Sequence, residues 1–324
     1  MMNYFLSCDW GTSSFRLRLI EADSLLVLAE RKSKEGISDT YRSWLSQKDA
    51  VARQDFYVRI IRRQIDKLGQ DAELQKQNID LAGIPVILSG MASSTIGLIE
   101  LPYKAVPFAL NSSDLNMQVL NEEAGANPLI VVSGACTEND VIRGEETKVL
   151  GCAQYLNDGE EEVLLLMPGT HPKHILIRGQ QVYGFKSYMT GEFFDLLSGH
   201  GVLSAVVKEG ADIDDPESTR HFNEGLKDAG ESNLLHASFM VRTRQVLQQI
   251  PPEHNYHYLS GLLIGNELKD MNRACSVYLV STGLHTRLYS KACAALGIHI
   301  EQVIDADEAL VRGQQIVFSL LEKA

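Results

Sequence analysis

A chain of 324 residues with 44% hydrophobic content is long enough for two domains and has the composition of an ordinary globular protein. Its net charge of −12, from 42 acidic against 30 basic residues, argues against nucleic acid or an anionic membrane as the main partner, since both select for basic patches; an anionic small substrate in a locally basic pocket is still allowed. Five cysteines without CxxC spacing suit reduced thiols, and with no charged-then-apolar leader and no apolar run of spanning length the expected compartment is the cytoplasm.

The first element is a hairpin. Tyr4 to Asp9 reads as a strand, Gly11 to Ser14 as a tight polar turn, and Phe15 to Ile20 as the returning strand. Glycine lets a turn approach an anion closely, and successive backbone N–H groups cradle phosphate oxygens. Thr12, Ser13 and Ser14 add hydroxyls, and Asp9 at the tip of the incoming strand is placed to hold a divalent cation through water. The bland alternative is a hairpin whose Asp and Thr only cap a turn.

Leu25 to Glu30 is a candidate third antiparallel strand, followed by a polar segment. A helix from about Gln54 to Leu68 carries Phe56, Ile60, Ile61, Ile65 and Leu68 at helical spacing. Pro85 to Ser89 is a short buried strand that runs into Gly90, and Gly90 to Tyr103 is a loop of small polar residues at a strand's carboxyl end, where open α/β sheets bind ligands. Leu129 to Ser133 is another strand. After Asp140, the stretch Ile142-Arg143-Gly144-Glu145-Glu146 enters a helix whose acidic start suits the dipole.

Val163 to Met167 and His174 to Arg178 are strands joined by the turn Pro168-Gly169-Thr170-His171-Pro172-Lys173. This echoes the opening hairpin: Gly169-Thr170 lies 158 positions after Gly11-Thr12. The echo points to two related β-hairpin domains, each with a phosphate turn. Val182 to Tyr188 is a further strand, with Thr190 a helix cap. Leu234 to Ile250 and Tyr256 to Met271 read as helices, the second with Gly261 and Gly265 spaced for close packing. Cys275 to Val280 is a strand ending in Ser281 to Thr286, followed by a helix to Leu296, a strand at Glu301 to Ile304 and a last helix from Glu308 to Leu321.

Seven blocks in this order resemble the 2-dehydro-3-deoxygalactonokinase family, bacterial sugar-acid kinases of the actin/hexokinase-like ATPase superfamily. They are Asp9-Trp-Gly-Thr with Arg16; Gly90-Met91 with Gly97 and Pro102-Tyr103; Arg143 to Thr147; Met167 to His171 with Lys173; Met189 to Glu192; Leu259 to Gly265; and Thr282 to Arg287. The resemblance implies an α/β fold of two ribonuclease-H-like domains with mixed β-sheets flanked by helices and a cleft between them. The expected division is 1–135 and 136–304, with 305–324 packing back on the first domain.

It also implies ATP and Mg2+ as co-substrates, with transfer of the γ-phosphoryl group to the 6-hydroxyl of 2-dehydro-3-deoxy-D-galactonate in galactonate breakdown. Asp9 would organise the metal. Gly11, Thr12 and Ser13, with Gly169, Thr170 and Lys173, would hold the β- and γ-phosphates from opposite sides, and Thr282-Gly283 would lie against the adenosine. Phosphoryl transfer needs positioning and charge neutralisation more than covalent chemistry, and an acidic base must take the hydroxyl proton. Glu145 is the first candidate and Asp140 the second; the alternative is that Glu145 and Glu146 only stabilise a helix start.

Gly90, Met91, Ser93 and Tyr103 would line the sugar-acid pocket, with His171 a phosphate or substrate contact. The loop departs from the family pattern at Ser93, Leu98 and Leu101, and the loss of an aromatic at 98 would remake one pocket wall. A guanidinium fork fits a carboxylate, so Arg143, then Arg16, are the candidate carboxylate ligands, against structural ion pairs for both. His171-x-x-His174 and His254-x-x-His257 lack the further ligands a metal site needs. The rival readings are a kinase for another 2-keto-3-deoxy sugar acid or related sugar, and a non-catalytic sugar sensor on the same fold. The oligomeric state is open.

Overall fold

The opening strand, β1 (Tyr4–Trp10), is buried on both faces, as a central strand must be. β2 (Phe15–Glu21) returns antiparallel to it, pairing Asp9 with Arg16 and Trp10 with Phe15, and β3 (Val27–Ser33) continues the meander with one solvated face. The computed structural model describes residues 3–47, 50–111, 114–120, 125–156, 159 and 161–321. They fall into two compact units: 1–157, 180–183 and 307–324, and 158–179 with 184–306.

In the first unit α1 (Ile37–Leu45) follows β3, then α2 (Arg53–Leu68) and α3 (Ala72–Gln77). α2 forms as its spacing predicts, burying Tyr57, Ile60, Ile61, Ile65 and Leu68 along one face. β4 (Val86–Gly90), β5 (Lys104–Ala105), β6 (Phe108–Ala109), β7 (Met117–Leu120), β8 (Leu129–Val132), β9 (Ala135–Cys136), β10 (Val141–Ile142) and α4 (Glu145–Cys152) complete the run. The main sheet has the order β3-β2-β1-β4-β8-β7, with β4 parallel to β1 and β8 parallel to β4.

β11 (Val163–Met167), β12 (Lys173–Arg178) and β13 (Gln181–Ser187) form another meander, of which 163–178 and 184–187 fall in the second unit. Gly179 and Gln180 both have positive φ (55° and 62°), the two-residue turn that matches strand twist. α5 (Thr190–Gly199), α6 (Pro216–Glu231), α7 (Leu234–Gln248), α8 (Pro252–Leu268), β14 (Ser276–Ser281), α9 (Gly283–Ala295) and β15 (Ile300–Asp305) follow. Five of the six strands of this sheet run β15-β14-β11-β12-β13, with β14 parallel to β11 and β15 to β14. Both units therefore carry a three-strand antiparallel meander extended by two parallel strands on the first strand's side, the ribonuclease-H-like order, so the fold is α/β with mixed sheets.

α10 (Ala306–Leu321) packs in the first unit, where a Cβ on Gly313 would lie 1.8 Å from the carbonyl oxygen of Thr147 on α4. Together with the pairing of β9 to β5 and β10, this contact keeps the segment 136–156 in the first unit. The division thus falls at 157 and not at the expected 135. Glu322 to Ala324, part of the expected C-terminal segment, lie outside the described residues.

Candidate active site

In the first unit the Gly11–Ser14 turn is closed by a hydrogen bond from Gly11 N–H to the Ser14 carbonyl (2.9 Å). Its carbonyls point down onto α1: Gly11 O accepts from Ile37 N–H and Thr12 O from Ser38 N–H, each at 3.0 Å. Gly36 makes this possible, because a Cβ there would sit 2.4 Å from Thr12 O and Ser13 Cα. Among the described residues the N–H groups of Thr12, Ser13 and Ser14 have no protein partner, and all three residues are exposed. A run of outward N–H groups beside hydroxyls is an anion-binding nest.

Beside this turn, the ends of β1 and β4 run together. Gly90, at φ +90°, has no room for a side chain, since a Cβ would lie 2.8 Å from Trp10 O. Gly144, at φ +106°, stacks on it, its own Cβ position being 3.0 Å from Gly90 Cα. These two glycines bring the Arg143–Glu145 segment against the strand end that carries Asp9.

The structure separates the two candidate arginines. Arg16 donates to Asp307 Oδ2 (2.7 Å) and to Asp9 Oδ2 (3.2 Å), and Arg18 donates to Asp307 as well (2.8 Å). Burial would raise the Asp307 pKa, but the hydrogen bonds from Arg16 and Arg18 outweigh it and hold the carboxyl at about 2. Arg16 is thus the hub of a carboxylate network, the structural alternative raised for it, and does not present its fork to a substrate. Arg143 is different. Its Nη1 donates to Ser93 O and Oγ at 2.5 Å, and its guanidinium carbon lies 4.2 Å from the centroid of the Tyr103 ring. Nη2 has no protein partner among the described residues. Ser93, Tyr103 and Arg143 therefore form one cluster with an oriented cation. Leu98 and Leu101 lie in the hydrophobic core of this unit, so position 98 supplies core packing and not a pocket wall.

Glu145 and Glu146 have opposite environments. Glu145 is half-buried and accepts from Arg143 N–H (3.0 Å). Glu146 is fully buried, accepts from Gly144 N–H (2.6 Å) and Thr147 Oγ1 (3.1 Å), and has its pKa pushed up to about 7 by burial first and by Glu145 second. Asp140 stands in the turn of the β9–β10 hairpin, where its carboxylate accepts Val141 N–H (2.7 Å). The Asp9 side chain is 30% exposed, and its Oδ1 has no protein partner among the described residues.

In the second unit the Gly169-Thr170 turn is braced in the same way. Thr170 O accepts from Glu192 N–H at 3.0 Å, and a Cβ on Gly191 would lie 2.6 Å from Gly169 O. Lys173 is only 5% exposed and turns its ammonium back onto His171 O (2.7 Å), so it holds the turn in place and does not reach into solvent for a phosphate. His171 is exposed and pairs with Glu192 (2.5 Å). Next to the turn is a cavity of about 330 Å³, whose walls include Thr170, Gly191, Tyr256, Leu284, His285 and Tyr289. That volume suits a small-molecule site. Thr282 and Gly283 are not in its wall; the next two residues of the same helix start are.

The histidine pairs do not converge. His174 bonds to Glu267 (3.1 Å), away from His171, and His257 Nε2 bonds to Ala211 O (2.8 Å). Glu217, His221 and His254 do gather within 4.8 Å of one another, but Arg220 occupies the space with its Nη2 2.9 Å from His221 Nε2 and 2.6 Å from Glu217. A guanidinium there is an ion-pair network, not a cation site. Among the described residues, no helix is long and apolar enough to cross a membrane.

A braced glycine–threonine turn in each ribonuclease-H-like unit is compatible with a phosphoryl-transfer enzyme. The comparisons with known proteins narrow this. The chain belongs to the 2-keto-3-deoxy-galactonokinase family, whose pattern matches residues 9–317, and is thus a sugar-acid kinase that uses ATP. It is 32% identical over 325 residues to a Rhizobium meliloti protein assigned as a 2-dehydro-3-deoxygalactonokinase, covering 96% of this chain and 95% of that one. It is 27% identical over 308 residues to the 2-dehydro-3-deoxygalactonokinase of Escherichia coli, covering 92% of each. A crystal structure of a protein assigned the same activity in Sinorhizobium meliloti has a TM-score of 0.79 at 28% identity, covering 98% of this chain and 99% of the other.

Proposed function

We propose that the protein transfers the γ-phosphoryl group of ATP to the 6-hydroxyl of 2-dehydro-3-deoxy-D-galactonate. The hydroxyl oxygen forms the new bond to phosphorus, the bond from phosphorus to the ADP oxygen breaks, and the hydroxyl proton passes to a carboxylate. Glu145 is the base in this proposal, because Glu146 is fully buried while Glu145 keeps access to solvent. The single observation that carries the reading is the repeated brace. In each unit a Thr carbonyl is taken by a helix amide at 3.0 Å, which leaves the turn free to present its other face to an anion.

The roles follow from that. The turns Gly11–Ser13 and Gly169–Thr170 bind phosphate oxygens, and the cavity at Tyr256 and His285 takes the nucleoside, which moves that role from Thr282-Gly283 to the residues just beyond. Gly90 and Met91 shape the acceptor site; Arg143, oriented by Ser93 and Tyr103, binds the substrate carboxylate. His171, held by Glu192, is exposed enough to touch substrate. Mg2+ fits the donors present, since the unpartnered Asp9 Oδ1 and the Thr12 hydroxyl are the hard oxygen ligands this ion prefers, with waters completing its shell. When bound it supplies charge neutralisation of the phosphates. The five cysteines are all unpaired, which suits a cytoplasmic site of action.

The test is a coupled ADP-release assay with Mg2+ and a panel of sugar acids. The expected result is turnover with 2-dehydro-3-deoxy-D-galactonate, with the phosphate located at C6 by NMR. Turnover with a different 2-keto-3-deoxy acid would replace the substrate assignment, and binding without turnover across the panel would make the protein a sugar sensor.

A further inference from the structure

Glu267 is a buried carboxylate that none of the proposed roles uses. It sits near the end of α8, only 3% exposed, among the apolar residues that pack this helix. Among the described residues no Lys or Arg pairs with it. Its oxygens are instead held by three side chains from three different elements. Oε1 lies 3.1 Å from His174 Nε2 on β12, while Oε2 accepts from Thr190 Oγ1 on α5 (2.5 Å) and from Tyr289 OH on α9 (2.7 Å).

Burying a carboxylate among apolar residues costs more than filling the same space with a hydrocarbon side chain. The geometry offers a return for that cost. Thr190 and Tyr289 both line the cavity beside the Gly169-Thr170 turn. Thr190 is followed directly by Gly191 and Glu192, whose backbones brace the turn. His174 leaves the same turn on its other side, after Lys173, and its ring lies 4.5 Å from that of Tyr188, tilted at 46°, two residues before Thr190. One side chain is thus bonded to the strand that leaves the turn, to the helix that braces it, and to the cavity wall at Tyr289.

We infer that Glu267 is a positioning residue for nucleotide binding, tying the phosphate turn of the second unit to the cavity wall at Tyr289 so that both are set before ATP arrives. The inference rests on the cavity being the nucleotide site. It predicts that losing the tie loosens nucleotide binding specifically and leaves the acceptor site in the first unit alone.

The experiment measures ADP affinity by calorimetry, together with kcat and KM for both substrates, in the wild type and in Glu267→Gln, Thr190→Val and Tyr289→Phe. Glu267→Gln keeps the shape and removes one acceptor oxygen. It should weaken ADP binding and raise KM for ATP about tenfold or more, the scale of a lost buried hydrogen-bond partner, with KM for the sugar acid within about twofold. Thr190→Val combined with Glu267→Gln should weaken ADP binding little more than Glu267→Gln alone, because the bond it removes is already compromised. Should Glu267→Gln fail to fold, Thr190→Val and Tyr289→Phe, each removing one bond at the cavity edge, carry the same test. Variants that melt lower yet bind ADP like the wild type, or that raise both KM values together, overturn the inference. A folded Tyr256→Ala/His285→Ala variant that binds ADP like the wild type would instead remove the nucleotide assignment of the cavity.

Discussion

Gly36→Ala separates the phosphate-turn assignment from the loss of any ligand group. Gly36 has φ −67° and ψ 169°, extended backbone that alanine adopts without strain, so the substitution acts through space alone. The new Cβ would lie 2.4 Å from Thr12 O, Ser13 Cα and Ser13 C, whereas ordinary contact begins at 3.4 Å. Either the turn lifts or α1 retreats, by about 1 Å in total. Overpacking of this kind costs roughly 1–3 kcal/mol, which a domain with ~5–15 kcal/mol of stability survives. A misplacement of ~1 Å in a group that positions a reacting phosphate costs up to ~100-fold in rate. The folded variant should therefore lose ~10–100-fold in kcat/KM for ATP, measured by coupled ADP release, with a thermal melt showing only a modest drop. The Arg143 cluster proposed to bind the substrate carboxylate is untouched, so KM for the sugar acid should barely move. A variant that melts cooperatively, a few degrees low, and keeps wild-type kcat/KM for ATP would show that the Gly11–Ser14 turn does not hold phosphate.

Glu145→Gln should reduce kcat by ~100-fold or more, the usual range for a lost general base, while Asp140→Asn keeps most of it; the reverse order would move the base to Asp140. Arg143→Lys keeps the charge but loses the planar fork over Tyr103, and should raise KM for the sugar acid about tenfold with KM for ATP unchanged; equal KM values for lysine and arginine would make Arg143 structural. Glu146 predicts a pH effect on stability. Its pKa is raised in the folded state, from 4.5 to about 7, so its contribution is fully present below pH 4.5 and lost as pH rises through 7. Glu146→Gln cannot ionise and can still accept from Gly144 N–H. Relative to the wild type it should gain at pH 8, compared with pH 4.5, up to about 3 kcal/mol. A stability difference between the two proteins that stays constant across that range would contradict the raised pKa of the buried carboxyl.

The elements that read well from sequence were those with one dominant signal. The α2 spacing, the apolar runs of β11 and β14 and the Gly261/Gly265 pair all appear where expected, and a Cβ on Gly261 would indeed strike Phe222 O of α6 at 2.0 Å. α6 is not singled out by its apolar spacing, because its buried face mixes Phe222 and Leu226 with Ser218, His221 and Gly225. The legible signal was Asp215-Pro216, a capping side chain that accepts from Glu217 and Ser218 N–H, followed by proline at the first helical position. α1 reads as a polar segment for a similar reason: it buries only Ile37 and Thr40. At the site, residue types were legible but partnerships were not. Nothing near Arg16 in the chain announces Asp307, 291 positions away, and that contact is what engages the Arg16 guanidinium with a carboxylate. Glu145 and Glu146 look alike as letters, and only burial tells them apart.

The echo between the two turns had a deeper basis than the two shared letters. Gly11-Thr12 and Gly169-Thr170 are each followed by a meander and then by a helix whose start carries a glycine pressed against the turn, Gly36 in one unit and Gly191 in the other. The spacing from threonine to glycine differs, 24 residues against 21, because the two meanders have different lengths, so a fixed-period comparison cannot find the second glycine. What is repeated is a hydrogen-bond solution. The threonine carbonyl in each turn is satisfied by a helix N–H at 3.0 Å, Ser38 in one and Glu192 in the other. A helix start has unpaired N–H groups that need acceptors, and a tight turn has carbonyls that need donors. Each satisfies the other only if no side chain separates them, which is why glycine stands at the junction. Once its carbonyls are committed to the helix, the turn has its N–H groups and hydroxyl left to face outward. The proposed anion binding by such a turn would follow from how it is supported, and it should fail in either unit when the supporting glycine gains a methyl group.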